Sequence, residues 1–122
     1  MVYKRVHDEL YGADALFFSG CSMDVVHKRA KRAFKIQEDG LEVERTDAGA
    51  FFVCTTPSGL KVYIIWIEKN RDVPNMGHEI VHLVSEIFKD RGIPLSYQNS
   101  EAFAYYLAFW LEKFLQPKRK RR

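Results

Sequence analysis

The sequence has few cysteines, no long apolar run and no broad excess of one charge. Its two cysteines, Cys21 and Cys54, do not form a C-x-x-C pair. That spacing excludes a zinc ribbon or a redox motif, and two reduced thiols are expected. The longest uninterrupted apolar stretch, Val62 to Ile67, is far too short to span a bilayer. The N-terminus, MVYKRVHDEL, carries no apolar segment behind its charges, so no secretory signal is read there. No internal repeat is evident. These absences point to a soluble, cytoplasmic protein without membrane association.

What is present suits one ordinary domain. The chain has 122 residues, 47% of them hydrophobic and 14% aromatic, enough apolar material for one core. The formal charge of +3 conceals an asymmetry: Lys118 to Arg122 contribute +5, which leaves −2 on the remaining residues. The body is near neutral, and a broad nucleic-acid-binding face is not expected from its charge. The division read from this is a single domain over 1–116 and a basic tail over 117–122.

Along the chain, Val2 to Leu10 is ambiguous between helix and strand, and Ala15 to Ser19 reads as a short strand. Ser22 is placed to cap a helix on which Val25, Val26, Ala30, Ala33 and Phe34 recur at helical spacing. Lys28, Arg29, Lys31 and Arg32 cover the rest of that helix; the run could touch phosphate, and is most simply a solvated face. Glu38-Asp39-Gly40 reads as a turn, and Leu41 to Arg45 as a candidate third strand. Ala50 to Thr55 and Leu60 to Glu68 flank Thr56-Pro57-Ser58-Gly59, a hairpin signal. Val62 to Ile67 is apolar on both faces and belongs inside a sheet. Asn75 can cap a helix from Met76 to about Arg91, closed by Gly92. A last helix is expected from Asn99 or Ser100 to about Leu115. Helix, antiparallel strands, helix, helix is an α+β order.

The penultimate helix carries His78-Glu79-Ile80-Val81-His82, the pattern HExxH. Residues four apart on a helix sit one above the other on the same face. Two imidazoles so placed can reach one zinc ion at roughly 2.0–2.1 Å. Glu79 points elsewhere and is free to act on a water molecule. With 4 histidines in the chain, a chance match to this spacing is expected only about 0.01 times.

A catalytic zinc site needs a third protein ligand. The extended pattern HExxHxxGxxH fails, since Ser85 and Phe88 stand where Gly and His are required. Glu86 lies one turn past His82, but positions i, i+4 and i+8 span about 12 Å along one helix and cannot close on one ion. His7 and His27 are remote in sequence. Glu101, 19 residues after His82 in the first turn of the next helix, is the best candidate. An acidic residue is also favoured there by the helix dipole alone.

HExxH followed by Glu101-Ala102-Phe103-Ala104 resembles the gluzincin branch of the zincin metallopeptidases. With Asp47-Ala48-Gly49-Ala50, a strand ending in Trp66-Ile67, and Tyr105, the stretch from about 47 to 115 is similar to small phage-encoded metallopeptidases. The resemblance implies a zincin-like fold: a small antiparallel or mixed sheet on the HExxH helix, with an edge strand along a substrate cleft. It implies His78, His82 and Glu101 as zinc ligands and Glu79 as general base. One departure stands out. Thermolysin-like members carry Asp four residues after the ligand Glu, and this chain has Tyr105. Asp72 and Glu86 are candidates to orient a ligand histidine instead. Tyr97, Tyr105, Tyr106 and His27 are candidate donors to a developing oxyanion.

The expected function is zinc-dependent hydrolysis of a peptide or protein substrate. The alternative is a zincin scaffold that binds without hydrolysing. Lys118, Arg119, Lys120, Arg121 and Arg122 could serve as a nucleic-acid arm in either case, or simply as a solubilising tail. Phe103, Leu107, Trp110, Leu111 and Phe114 recur at helical spacing and read as a core stripe.

Overall fold

In the computed structural model, residues 1–35 and 48–117 are described. The turn expected at Glu38-Asp39-Gly40, the candidate strand Leu41 to Arg45 and the basic residues 118–122 lie outside them. Four strands form one sheet: β1 (Val2–His7), β2 (Asp14–Ser19), β3 (Gly49–Thr55) and β4 (Lys61–Ile67). Their order is β1-β2-β4-β3. β1 runs antiparallel to β2 and β3 antiparallel to β4, while β2 and β4 run parallel. The sheet is therefore mixed, and the domain is α+β. Helix α1 (Met23–Phe34) connects the strand pairs, and α2 (Val73–Asp90) and α3 (Ser100–Leu115) follow. The ambiguous N-terminal segment is a strand, so two strands precede the first helix, β1 joining the one expected at Ala15 to Ser19.

The alternation of side chains along the two inner strands explains the layering. Ala15 and Phe17 of β2, with Tyr63, Ile65 and Ile67 of β4, face α2 and α3. These bury Met76, Ile80, Leu83, Val84, Ile87, Phe88, Tyr106, Trp110 and Phe114 against them. Leu16 and Phe18, with Val62, Ile64 and Trp66, face the other way, onto Met23, Val26, Ala30 and Phe34 of α1. β2 and β4 are apolar on both faces because both faces are covered, as a strand in a two-sided sheet requires. Fully burying one side chain such as Leu83 contributes about 1.5–3 kcal/mol. No described helix is long and apolar enough to cross a membrane.

Helix α2 begins three residues earlier than the sequence suggested. Asp72, not Asn75, is the N-cap; its carboxylate accepts from the Asn75 backbone N–H at 3.3 Å and from the Asn75 side-chain amide at 2.5 Å. Pro74 is no barrier in the first turn, where its missing N–H has no intrahelical partner to lose. At the far end Gly92 takes φ 70, and Ile93 N donates back to Phe88 O at 2.8 Å.

Candidate metal centre

Burying Met76, Glu79, Ile80, Leu83, Val84, Ile87 and Phe88 leaves His78 and His82 on the outer side of α2. Their rings stand one turn apart, centroids 5.0 Å from each other, planes at 73°. Two imidazoles bound through nitrogen to one tetrahedral zinc have ring centres about 5 Å apart, given Zn–N of about 2.0–2.1 Å. On this spacing the pair fits a shared cation.

Glu79 behaves differently from its neighbours. Only 5% of it is exposed, and Oε1 lies 3.8 Å from His78 Nε2. Burial pushes its carboxyl above the usual range; the nearby His78 and His82 offset part of that rise. The reason for its burial is the start of β3, which passes over it. A Cβ on Gly49 would meet Trp66 O at 3.2 Å and Glu79 Cγ at 3.4 Å. Glycine at a strand start allows this close backbone approach. Two residues on, the Phe51 ring lies parallel to His82 at 6.4 Å, planes 12° apart. β3 is an edge strand among the described residues and lies beside His82. Gly49 and Phe51 were not singled out as functional from sequence. The signal for Gly49 was its place in the motif stretch that begins at Asp47; Phe51 had none, since a Phe in a strand reads as core.

The third ligand is not brought to the pair. Among the described residues no three His, Cys, Asp or Glu side chains form a group that could hold a metal ion. Glu101 is exposed in the first turn of α3. The cause is where α3 docks: Phe103 packs edge-on against Phe88 at 6.0 Å, and Phe88 is about 9 Å along the axis from His82, at ~1.5 Å per residue.

The other candidates have engagements of their own. Asp72 caps α2. Glu86 pairs with Lys61 at 3.3 Å, on the strand that also binds Asp90 through Lys61 and Tyr63. Tyr97 and Tyr105 are exposed at 92% and 75%. Tyr106 is buried, and its hydroxyl donates to Asp8 Oδ2 at 2.6 Å. That bond and burial raise its pKa well above the ordinary phenol value, so it is held neutral inside the core and is not an exposed oxyanion donor. His27 stands on α1, across the sheet from His78, edge-on to Phe52 at 6.5 Å. His7 pairs with Asp14 at 3.0 Å on the β1–β2 side.

No family model, curated protein or solved structure matches the chain.

Proposed function

We propose that the chain is a zinc-dependent peptidase of zincin type, with His78 and His82 as metal ligands and Glu79 as general base. The observation that carries this reading is the 5.0 Å spacing of the two imidazoles beside a buried carboxylate. Glu101 is included as third ligand on the motif resemblance alone. When bound, zinc would acidify a coordinated water toward pH 7 and polarise the scissile carbonyl.

The rest of the chemistry falls to the chain. Among the described residues Glu79 is the carboxylate placed against His78, and its raised pKa brings it closer to neutral pH, where proton exchange in both directions is efficient. It removes a proton from the attacking water and delivers it to the departing amine nitrogen as the C–N bond breaks. Among the described residues β3 is an edge strand beside His82, and an extended peptide can add to it by main-chain hydrogen bonds. That edge supports a peptide or protein substrate.

The test is hydrolysis of a quenched-fluorescent peptide library by zinc-supplemented protein. Wild type should cleave, and Glu79→Gln should bind zinc and not cleave. Cleavage by Glu79→Gln at the wild-type rate defeats the assigned role. A second reading, a metal-binding scaffold without hydrolysis, is favoured by the separation of Glu101 from the pair. Zinc binding by wild type with no cleavage of any library member supports it.

A further inference from the structure

We propose a second, separate site: the face formed by α1 and β1 binds the phosphate backbone of a nucleic acid. Five basic side chains from two elements make this face. Lys28, Arg29 and Arg32 are exposed on α1, whose opposite side is buried in the core, and Lys35 is exposed at the helix end. Arg5, exposed on β1, joins them: its guanidinium lies 4.4 Å over the Phe34 ring. In the reverse direction, the Arg29 guanidinium lies 5.4 Å over the ring of Tyr3 on β1. Tyr3 and Arg5 are two apart in a strand and so share a sheet face. The arginines thus lace helix to strand, and stacking fixes planar donors that suit phosphate oxygens.

Three further observations select the ligand. Among the described residues none of the five bases forms an ion pair with an acid, and α1 has one acid, Asp24, in its first turn. No large hydrophobic side chain is exposed on α1. A membrane-binding helix needs such a side chain to insert, whereas a phosphate backbone needs only the charges. Finally, the chain leaves the fold beside β1. Lys4 Nζ donates to Lys113 O at 3.0 Å, to Phe114 O at 2.8 Å and to Gln116 O. Arg5 and Pro117 line one groove. The sequence continues from there into Lys118-Arg119-Lys120-Arg121-Arg122. The last described residues, Gln116 and Pro117, thus lie at the same strand that carries Arg5. The five acidic residues between 38 and 47 lie outside the described residues, so the full chain is the species to test. The sheet stands between this face and His78, and nucleic-acid binding should not depend on zinc.

The experiment is fluorescence anisotropy with a short labelled DNA duplex of arbitrary sequence, titrated at several salt concentrations. Each phosphate neutralised adds about −0.9 to the slope of log K against log salt. The triple variant Lys28→Gln, Arg29→Gln, Arg32→Gln keeps good helix formers on an exposed face. It should bind more than about tenfold more weakly at low salt, with the slope shallower by about 2–3. Arg5→Gln, on the strand, should make the slope shallower by about 1 and serves if the triple variant melts early. A chain ending at Pro117 should bind more weakly yet still respond to the triple substitution. The proposal is overturned if the triple variant and Arg5→Gln bind as wild type does, or if the shortened chain has no affinity. It is equally overturned if the substitutions abolish binding to phosphatidylserine vesicles and leave DNA binding intact.

Discussion

Asp8 and Tyr106 give a prediction that separates architecture from catalysis. Asp8 is 2% exposed and Tyr106 3% exposed. The Asp8 carboxylate accepts from Leu10 N at 2.9 Å, Tyr11 N at 3.1 Å, Ala13 N at 3.4 Å and Tyr106 Oη at 2.6 Å. One carboxylate thereby folds the β1–β2 turn and ties it to α3. Tyr106→Phe removes one charge-assisted bond but leaves three donors on the carboxylate, a loss of about 1–2 kcal/mol. Asp8→Ala strands a buried hydroxyl, about 1–3 kcal/mol, and releases turn amides of which those of Leu10 and Tyr11 can reach water. The total should be about 2–4 kcal/mol, a fall in Tm of about 8–15 °C for a domain of this size. In the double variant the stranded hydroxyl is gone, so the two effects should fall short of additivity by about 1–2 kcal/mol. Urea unfolding of the four proteins measures this. Peptide hydrolysis by Tyr106→Phe should equal wild type below its melting range, because the hydroxyl is engaged inside the core. Two single variants that each lose less than about 0.5 kcal/mol, or a Tyr106→Phe variant that folds and does not cleave where wild type does, would refute the reasoning.

Glu79 should leave a pH signature in metal-free protein. Its folded pKa is raised above 4.5, so the native state holds a proton that the unfolded chain releases. That contribution is fully present below the unfolded pKa and is lost as pH rises through the folded value. In EDTA, Glu79→Gln should therefore gain in Tm relative to wild type as pH is raised from about 4 to 7, and a constant difference would contradict the burial. Gly49→Val should displace Glu79, since even the first added carbon would lie 3.2 Å from the Trp66 carbonyl. A loss of about 1–3 kcal/mol is expected from overpacking, with peptide hydrolysis reduced more than stability accounts for. Wild-type kcat/KM in that variant would remove Gly49 from the site.

Much of the frame is legible in short-range pattern. The Thr56–Gly59 turn between two apolar runs gives the β3–β4 hairpin, and HExxH between helix signals gives two ring positions whose relation is fixed by helix geometry alone. Long-range pairing is not legible. Nothing local tells β2 to run parallel to β4, because the pairing Leu16↔Ile64 joins segments far apart in the chain. Val2 to Leu10 is equally opaque, since its strand state depends on pairing with β2. Asp72 and Asn75 are both good cap residues by type, and the sequence alone does not separate them. Glu101 illustrates the remaining gap: sequence gives its spacing from His82, but the docking of Phe103 on Phe88 sets where that carboxylate stands.

The most direct test is the zinc content of full-length protein after equilibration with zinc and gel filtration, by plasma mass spectrometry. Wild type and Glu79→Gln should each retain about one zinc per chain, as a single site of His78, His82 and Glu101 would hold. His78→Ala with His82→Ala should retain none, and Glu101→Ala should retain less than wild type. Metal-free wild type, or a double-histidine variant that keeps its zinc, would contradict the account.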